Sequence, residues 1–256
     1  MNYLAEFQTF LKHLADESAK VIKPYFRTQI SIEEKSDLSP VTIADKKAEE
    51  VLRNLIKKEY PEHGIIGEEF GQENENAEFV WVLDPIDGTK SFICGALSFG
   101  TLIALMHKNK PVVGVINHPI LDEFMIGDNQ QTFLNNKKVN VRNSSKLEEA
   151  VLLVTDHLNA EKYLNKEKFN SLINKVKIYR NWGDCYGYYL LSTGFADIMI
   201  DPIMSVWDKM ALIPIVRGAG GIITDCNGNE PESGTNILAA TPQLHQIVLD
   251  KLKFDF

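Results

Sequence analysis

The chain is poor in cysteine. Its three thiols, Cys94, Cys185 and Cys226, contain no CxxC pair and leave an odd one over, which argues against both a disulfide framework and a zinc site. Basic charge is also scarce, with 27 Lys and Arg against 35 Asp and Glu. A net charge of −8 excludes sequence-independent nucleic-acid binding, which depends on neutralising phosphates. Long apolar runs are missing as well. No stretch approaches the ~18 apolar residues of a membrane span, and the charged N-terminus lacks the apolar centre of a signal peptide. These absences predict a cytoplasmic protein with no nucleic-acid and no membrane partner.

What is present is an ordinary globular composition, 44% hydrophobic over 256 residues, enough to bury a substantial core. Leu4, Phe7, Leu11 and Leu14 recur at helical spacing and the pattern fades before Pro24. A second amphipathic helix, with Ala44, Ala48, Val51, Leu52, Leu55 and Ile56 on one face, runs from Pro40 to Pro61. Lys35–Pro40 reads as a polar linker between them. From Phe79 the period shortens. FVWVL, FGTLIALM, PVVGVINHPI and EFMIG predict an antiparallel meander with tips at Asn109–Lys110 and Asn135–Asn136. Beyond Ser145, strands (AVLLVT, ADIMI, GGIIT, NILAAT) alternate with helices (residues 163–176, 185–194, 207–218 and 242–253). The expected division is therefore an N-terminal α+β half, 1–145, and a C-terminal α/β half, 146–256.

The most informative stretch is Trp81-Val82-Leu83-Asp84-Pro85-Ile86-Asp87-Gly88-Thr89. A strand ends at Leu83, Pro85 fixes the backbone just after the first acid, and Asp84, Asp87 and the Ile86 carbonyl can turn toward one point. Carboxylate and carbonyl oxygens are hard ligands suited to Mg²⁺, Mn²⁺ or Ca²⁺. The amides of Gly88 and Thr89 would open a helix and suit a phosphate. The same pattern also describes a β-turn running into a helix cap. Three further acids have structural readings of their own: Glu68 in Gly67-Glu68-Glu69 as a loop charge, and Asp45 and Asp208 as first-turn helix acids.

Taken together and in this order, Lys35-Ser36-Asp37, Pro40-Val41-Thr42-Ile43-Ala44-Asp45, Gly67-Glu68-Glu69, Asp84-Pro85-Ile86-Asp87-Gly88-Thr89, Trp207-Asp208 and Gly218-Ala219-Gly220-Gly221 resemble the signature set of the inositol monophosphatase superfamily. That resemblance implies a layered α-β-α-β-α sandwich and a lithium-sensitive, metal-dependent phosphatase. It assigns the metal ligands as Glu68, Asp84, Ile86 (through its carbonyl), Asp87 and Asp208, holding two or three Mg²⁺ with Mn²⁺ able to replace it. It gives Glu68 and Thr89 the activation of the attacking water, Asp45 the orientation of Thr89, and the Gly88 and Thr89 amides the phosphate. It further implies a homodimer.

Substrate choice rests on the turn Gly183-Asp184-Cys185 and the strand ending at Asp201. Inositol monophosphatases carry a small Gly-Thr-Ala-type turn at the first position. The Asp-Cys-Tyr turn, with DPIDGTKSFICG at 84–95, resembles the histidinol-phosphate phosphatase branch. An extra carboxylate suits a substrate with an amine and an imidazole, so Asp87, Gly88, Thr89, Asp184 and Asp201 are expected at the substrate. Trp182 and Tyr186 could flank a flat ring or simply pack. Histidinol phosphate ranks first, inositol monophosphate second and a 3′(2′),5′-bisphosphate nucleotide third. The alternative class is a catalytically silent binding module of the same fold. The complete set of acids favours an enzyme.

Overall fold

The computed structural model describes residues 3–34 and 40–252, so the Lys35-Ser36-Asp37 motif lies outside the described residues. Helix Tyr3–Ile22 stops where Pro24 enters a short 3₁₀ turn. Helix Ile43–Glu59 begins with a reciprocal cap: Asp45 Oδ2 accepts from the Thr42 amide at 2.9 Å and from its hydroxyl at 2.6 Å, while Thr42 Oγ1 accepts from Ala44. Both helices lie on one face of an eight-stranded sheet.

Across that sheet the strands run Lys137–Val139, Thr132–Leu134, Glu123–Gly127, Lys110–His118, Gly100–His107, Phe79–Asp87, Gly64–Gly67 and Gly71–Glu73. All neighbours are antiparallel except Gly64–Gly67 with Phe79–Asp87. The central strands are apolar throughout because both faces are covered. Trp81, Leu83, Ile103 and Leu105 face the two N-terminal helices. Val80, Val82, Leu102 and Ala104 face helices Asp184–Ser192 and Leu212–Gly218 on the other side. Those helices also pack on Leu153, Met199, Ile237 and Ala239 of a five-stranded sheet. Helices His157–Tyr163, Lys166–Ile173 and Pro242–Leu252 cover its far face. The layers are therefore α-β-α-β-α, the sandwich that the resemblance implies.

Local differences from the sequence reading have identifiable causes. The hairpin at 107–110 turns on Lys108 and Asn109, both with positive φ, one residue earlier than expected; Asn135–Asn136 turns as expected. The helix expected over 163–176 is two helices, because Asn165 ends the first and caps the second through Lys168 N (3.0 Å). Residues 207–218 divide into Val206–Lys209 and Leu212–Gly218. Pro214 has no N–H to offer the Met210 carbonyl, so the helix loses a rung there. Among the described residues no helix is long and apolar enough to cross a membrane.

Candidate active site

The site grows from an irregularity in the central strand. Strand Phe79–Asp87 does not end at Leu83. It continues to Asp87, and its register on the neighbouring strand shifts between Asp84 (opposite Leu102) and Asp87 (opposite Gly100). In a regular strand, residues three apart face opposite sides. The bulge removes that alternation and re-aims both side chains. Pro85 can sit there because a bulged position needs no ladder N–H, and its carbonyl accepts from Thr101 Oγ1 at 2.8 Å.

Asp84 and Asp87 are joined by Asp208, from the first turn of Val206–Lys209, so that ligand oxygens of all three lie within 4.8 Å of one another. Glu68 follows strand Gly64–Gly67, its amide donating to the Leu83 carbonyl (3.2 Å), and its carboxyl lies beside Asp84. Burial, then the charges of Glu68, Asp87 and Asp208, push Asp84 well above the usual carboxylate range. Burial and then Asp184 and Asp208 do the same to Asp87. Burial raises Asp208 to about 6, against the opposing hydrogen bond from Ser205 N (2.6 Å). Lys209 offsets this charge only in part, because its ammonium is turned onto the Pro231 and Gly234 carbonyls. Asp84 Oδ1 is buried with no hydrogen-bond partner. An orphaned carboxylate oxygen amid crowded acids fits a hard divalent cation.

On the near side of the cradle, the Thr89 hydroxyl lies 3.0 Å from the Ile86 carbonyl and 3.3 Å from Asp45 Oδ1. Gly88 takes φ +84°, open to glycine at little cost, and a Cβ there would come within 2.9 Å of Asp184 Oδ2. Next to Gly88, Asp184 itself has φ +49°. Its amide donates to Thr155 Oγ1 (2.8 Å) and the next amide, of Cys185, donates to Asp87. Burial, then the charge of Asp201, raises Asp184 to about 7, opposed by Ser91 and Lys90. Asp201 is buried, its oxygens accepting from Thr155 N (3.2 Å) and Tyr188 OH (2.9 Å).

One cleft of about 460 Å³ is lined by Glu68, Asp84, Ile86, Asp87, Gly88, Thr89, Asp184 and Asp208. Asp45 stands behind Thr89, and Asp201 lines an adjoining recess with Asp87, Asp184 and Asp208. Every candidate residue thus reaches one neighbourhood. Trp182 and Tyr186 do not line the cleft: Trp182 is half exposed beside Arg180, and Tyr186 stacks on Tyr189 at 5.6 Å. Sequence reasoning missed Asp156 and Asn159, which line the far wall. Asp156 caps helix His157–Tyr163 through the Leu158 and Asn159 amides, and an acid after strand AVLLVT was the available signal.

Compared with known proteins, residues 3–254 match the Inositol monophosphatase family. The chain belongs to that family. It is accordingly a phosphoric monoester hydrolase. Bifunctional phosphatase IMPL2, chloroplastic, of Arabidopsis thaliana is 44% identical over 94% of this chain and 73% of its own length. The Histidinol-phosphatase of Chlorobaculum parvum is 36% identical over 85% of each. Among solved structures, an inositol monophosphatase from Zymomonas mobilis superposes with a TM-score of 0.86 at 38% identity, covering 97% of this chain and 99% of that one. The inositol monophosphatase family is in general Mg²⁺-dependent, and the cluster of Asp84, Asp87 and Asp208 could hold the metal.

Proposed function

We propose that this phosphatase hydrolyses histidinol phosphate, using Glu68, Asp84, the Ile86 carbonyl, Asp87 and Asp208 to hold Mg²⁺. Magnesium bound there would acidify a water and neutralise charge on the departing ester oxygen. The chain's own residues supply the rest. The Thr89 hydrogen is committed to Ile86 or Asp45, so the Thr89 oxygen is left to accept from, and aim, the attacking water. Glu68 takes the proton as the new P–O bond forms and the ester P–O bond breaks. The Gly88 and Thr89 amides steady the phosphate.

The observation that carries the substrate is the acidic lining beyond the metal ligands. Asp184, beside Gly88 and Ser91, and Asp156 line the cleft, with Asp201 in the adjoining recess. A cationic amine and imidazole gain there from paired, partly desolvated carboxylates, whereas a second phosphate would meet like charge. The similarity to a protein named Histidinol-phosphatase supports the same choice. Inositol monophosphate is the second reading, favoured by the similarity to the Zymomonas mobilis inositol monophosphatase. The test is phosphate release with Mg²⁺ from histidinol phosphate, inositol 1-phosphate and 3′-phosphoadenosine 5′-phosphate. The expected order of kcat/KM is as written. A higher value for inositol 1-phosphate overturns the proposal.

A further inference from the structure

Behind the cleft lies a buried charge pair that the chemistry above does not use. Glu49 is fully buried on helix Ile43–Glu59, and Arg53, one turn on, is nearly so; Arg53 Nε donates to Glu49 Oε1 at 2.7 Å. The other donors to Glu49 come from a distant part of the chain. Glu69 N donates to Oε2 at 2.7 Å and Phe70 N to Oε1 at 3.2 Å. Arg53 also donates through its guanidinium to the Gly71 carbonyl. The pair therefore grips the backbone at 69, 70 and 71.

Those residues directly follow Glu68, whose own amide is tied to the Leu83 carbonyl, next to Asp84. The loop has little apolar anchorage, because Phe70 is half exposed and Gly71 exposed. Its hold on the protein is largely polar: besides the pairing of Gly71–Glu73 with Gly64–Gly67, Glu49 and Arg53 bind the backbone of the turn from beneath. Gly67 completes the arrangement: a Cβ there would overlap Glu49 Oε1, so a side chain at 67 and the carboxylate of Glu49 cannot occupy the same space.

We infer that Glu49, braced by Arg53, is a positioning residue that sets Glu68 against Asp84, with Gly67 leaving the room it needs. This rests on the proposed reading of Glu68 as a metal ligand. Partners behind a ligand typically tune metal affinity by about 10- to 100-fold.

The test measures Mg²⁺ binding by calorimetry and the Tm of the metal-free protein for Glu49→Gln and Gly67→Ala, each alone and combined with Glu68→Gln. Glu49→Gln leaves Arg53 short of a buried counter-charge and can fold poorly. The charge-neutral pair Glu49→Gln/Arg53→Gln is therefore measured beside it. The expected result is Mg²⁺ binding weakened about tenfold by either route, with kcat lowered and substrate KM unmoved. In the Glu68→Gln background the same changes should cost less than about twofold, because a residue acting through Glu68 has nothing left to position. Equal weakening in both backgrounds overturns the proposal. So does a lower Tm with unchanged Mg²⁺ affinity, which is what a purely structural pair would give. If Glu68→Gln alone binds Mg²⁺ as the wild type does, the reading of Glu68 itself fails and the inference falls with it.

Discussion

Two acidic turns in this chain look alike in sequence and behave oppositely in the fold. Asp225-Cys226-Asn227-Gly228-Asn229 and Asp84-Pro85-Ile86-Asp87-Gly88 each follow a strand or interrupt one, and each leads to a glycine with positive φ. Asp225 is satisfied by its own turn: Asn227 N at 2.8 Å, Asn229 N at 2.7 Å and Asn229 Nδ2 at 3.0 Å all donate to it. Burial alone would raise its pKa, but these bonds outweigh it and hold the carboxyl below its ordinary 3.8. Asp84 receives no such donors at Oδ1 and is pushed the other way. The residue after it is a proline with no N–H to give. A buried carboxylate completed by the protein is a structural part, whereas one left incomplete amid other acids fits a cation. The distinction lies in the partners, not in the acid.

The contrast is broken most severely by removing the cation. Excess EDTA should abolish phosphate release, and Asp84→Asn should lower kcat by on the order of 10³-fold, the equivalent of about 4 kcal/mol. The Tm of the metal-free Asp84→Asn variant should stay level or rise, because a crowded charge has gone. Glu68→Gln should cost roughly 10²-fold in kcat, as expected for loss of a general base. Glu69→Gln should cost far less, and equal losses would show that the assignment within the Glu68-Glu69 pair is wrong.

A subtler effect is expected at Asp184. Asp184→Asn should raise KM for histidinol phosphate by roughly 10- to 150-fold, the ~1.5–3 kcal/mol of a charge-assisted contact, while hydrolysis of an uncharged phosphomonoester holds. Equal losses on both, with a lower Tm, would make Asp184 a structural residue only. The smallest change belongs to the satisfied turn. Asp225→Asn should leave kcat untouched and cost about 2 kcal/mol of stability, a Tm drop of roughly 4–8 °C. Because the folded pKa of Asp225 lies below its unfolded value, its contribution is full above about pH 4 and fades as pH falls through the folded value. The gap between wild type and variant in urea melts should therefore close in acid.

Much of this was legible in the sequence, for physical reasons. Alternating apolar residues buried on both faces announce the central strands, and paired positive-φ residues such as Asn135–Asn136 announce a hairpin. The convergence of Asp45, Glu68, Asp84, Asp87 and Asp208 was legible from order and motif, not from spacing. What escaped depended on contacts distant in sequence. Strand Phe79–Asp87 runs past Asp84 because its neighbour accommodates a bulge, and no local pattern encodes that. Glu49 and Arg53 drew no reading from the sequence, although with Asp45 they form an i, i+4, i+8 row beside the buried stripe of Ala44, Ala48, Leu52 and Ile56. A charged row next to an apolar one was the overlooked sign of a buried polar network.

The meeting of Asp208 with Asp84 and Asp87 also has a consequence during synthesis. The bulged strand leaves the ribosome first, and Asp208 follows about 120 residues later, on the order of 10 s at usual elongation rates. Throughout that interval Asp84 and Asp87 stand without Asp208, and for most of it also without the Cys185 amide that fastens Asp87. On the proposed reading of Asp208 as a metal ligand, hydrolysis waits for residue 208, and a product truncated before it is expected to leave phosphoesters unconsumed.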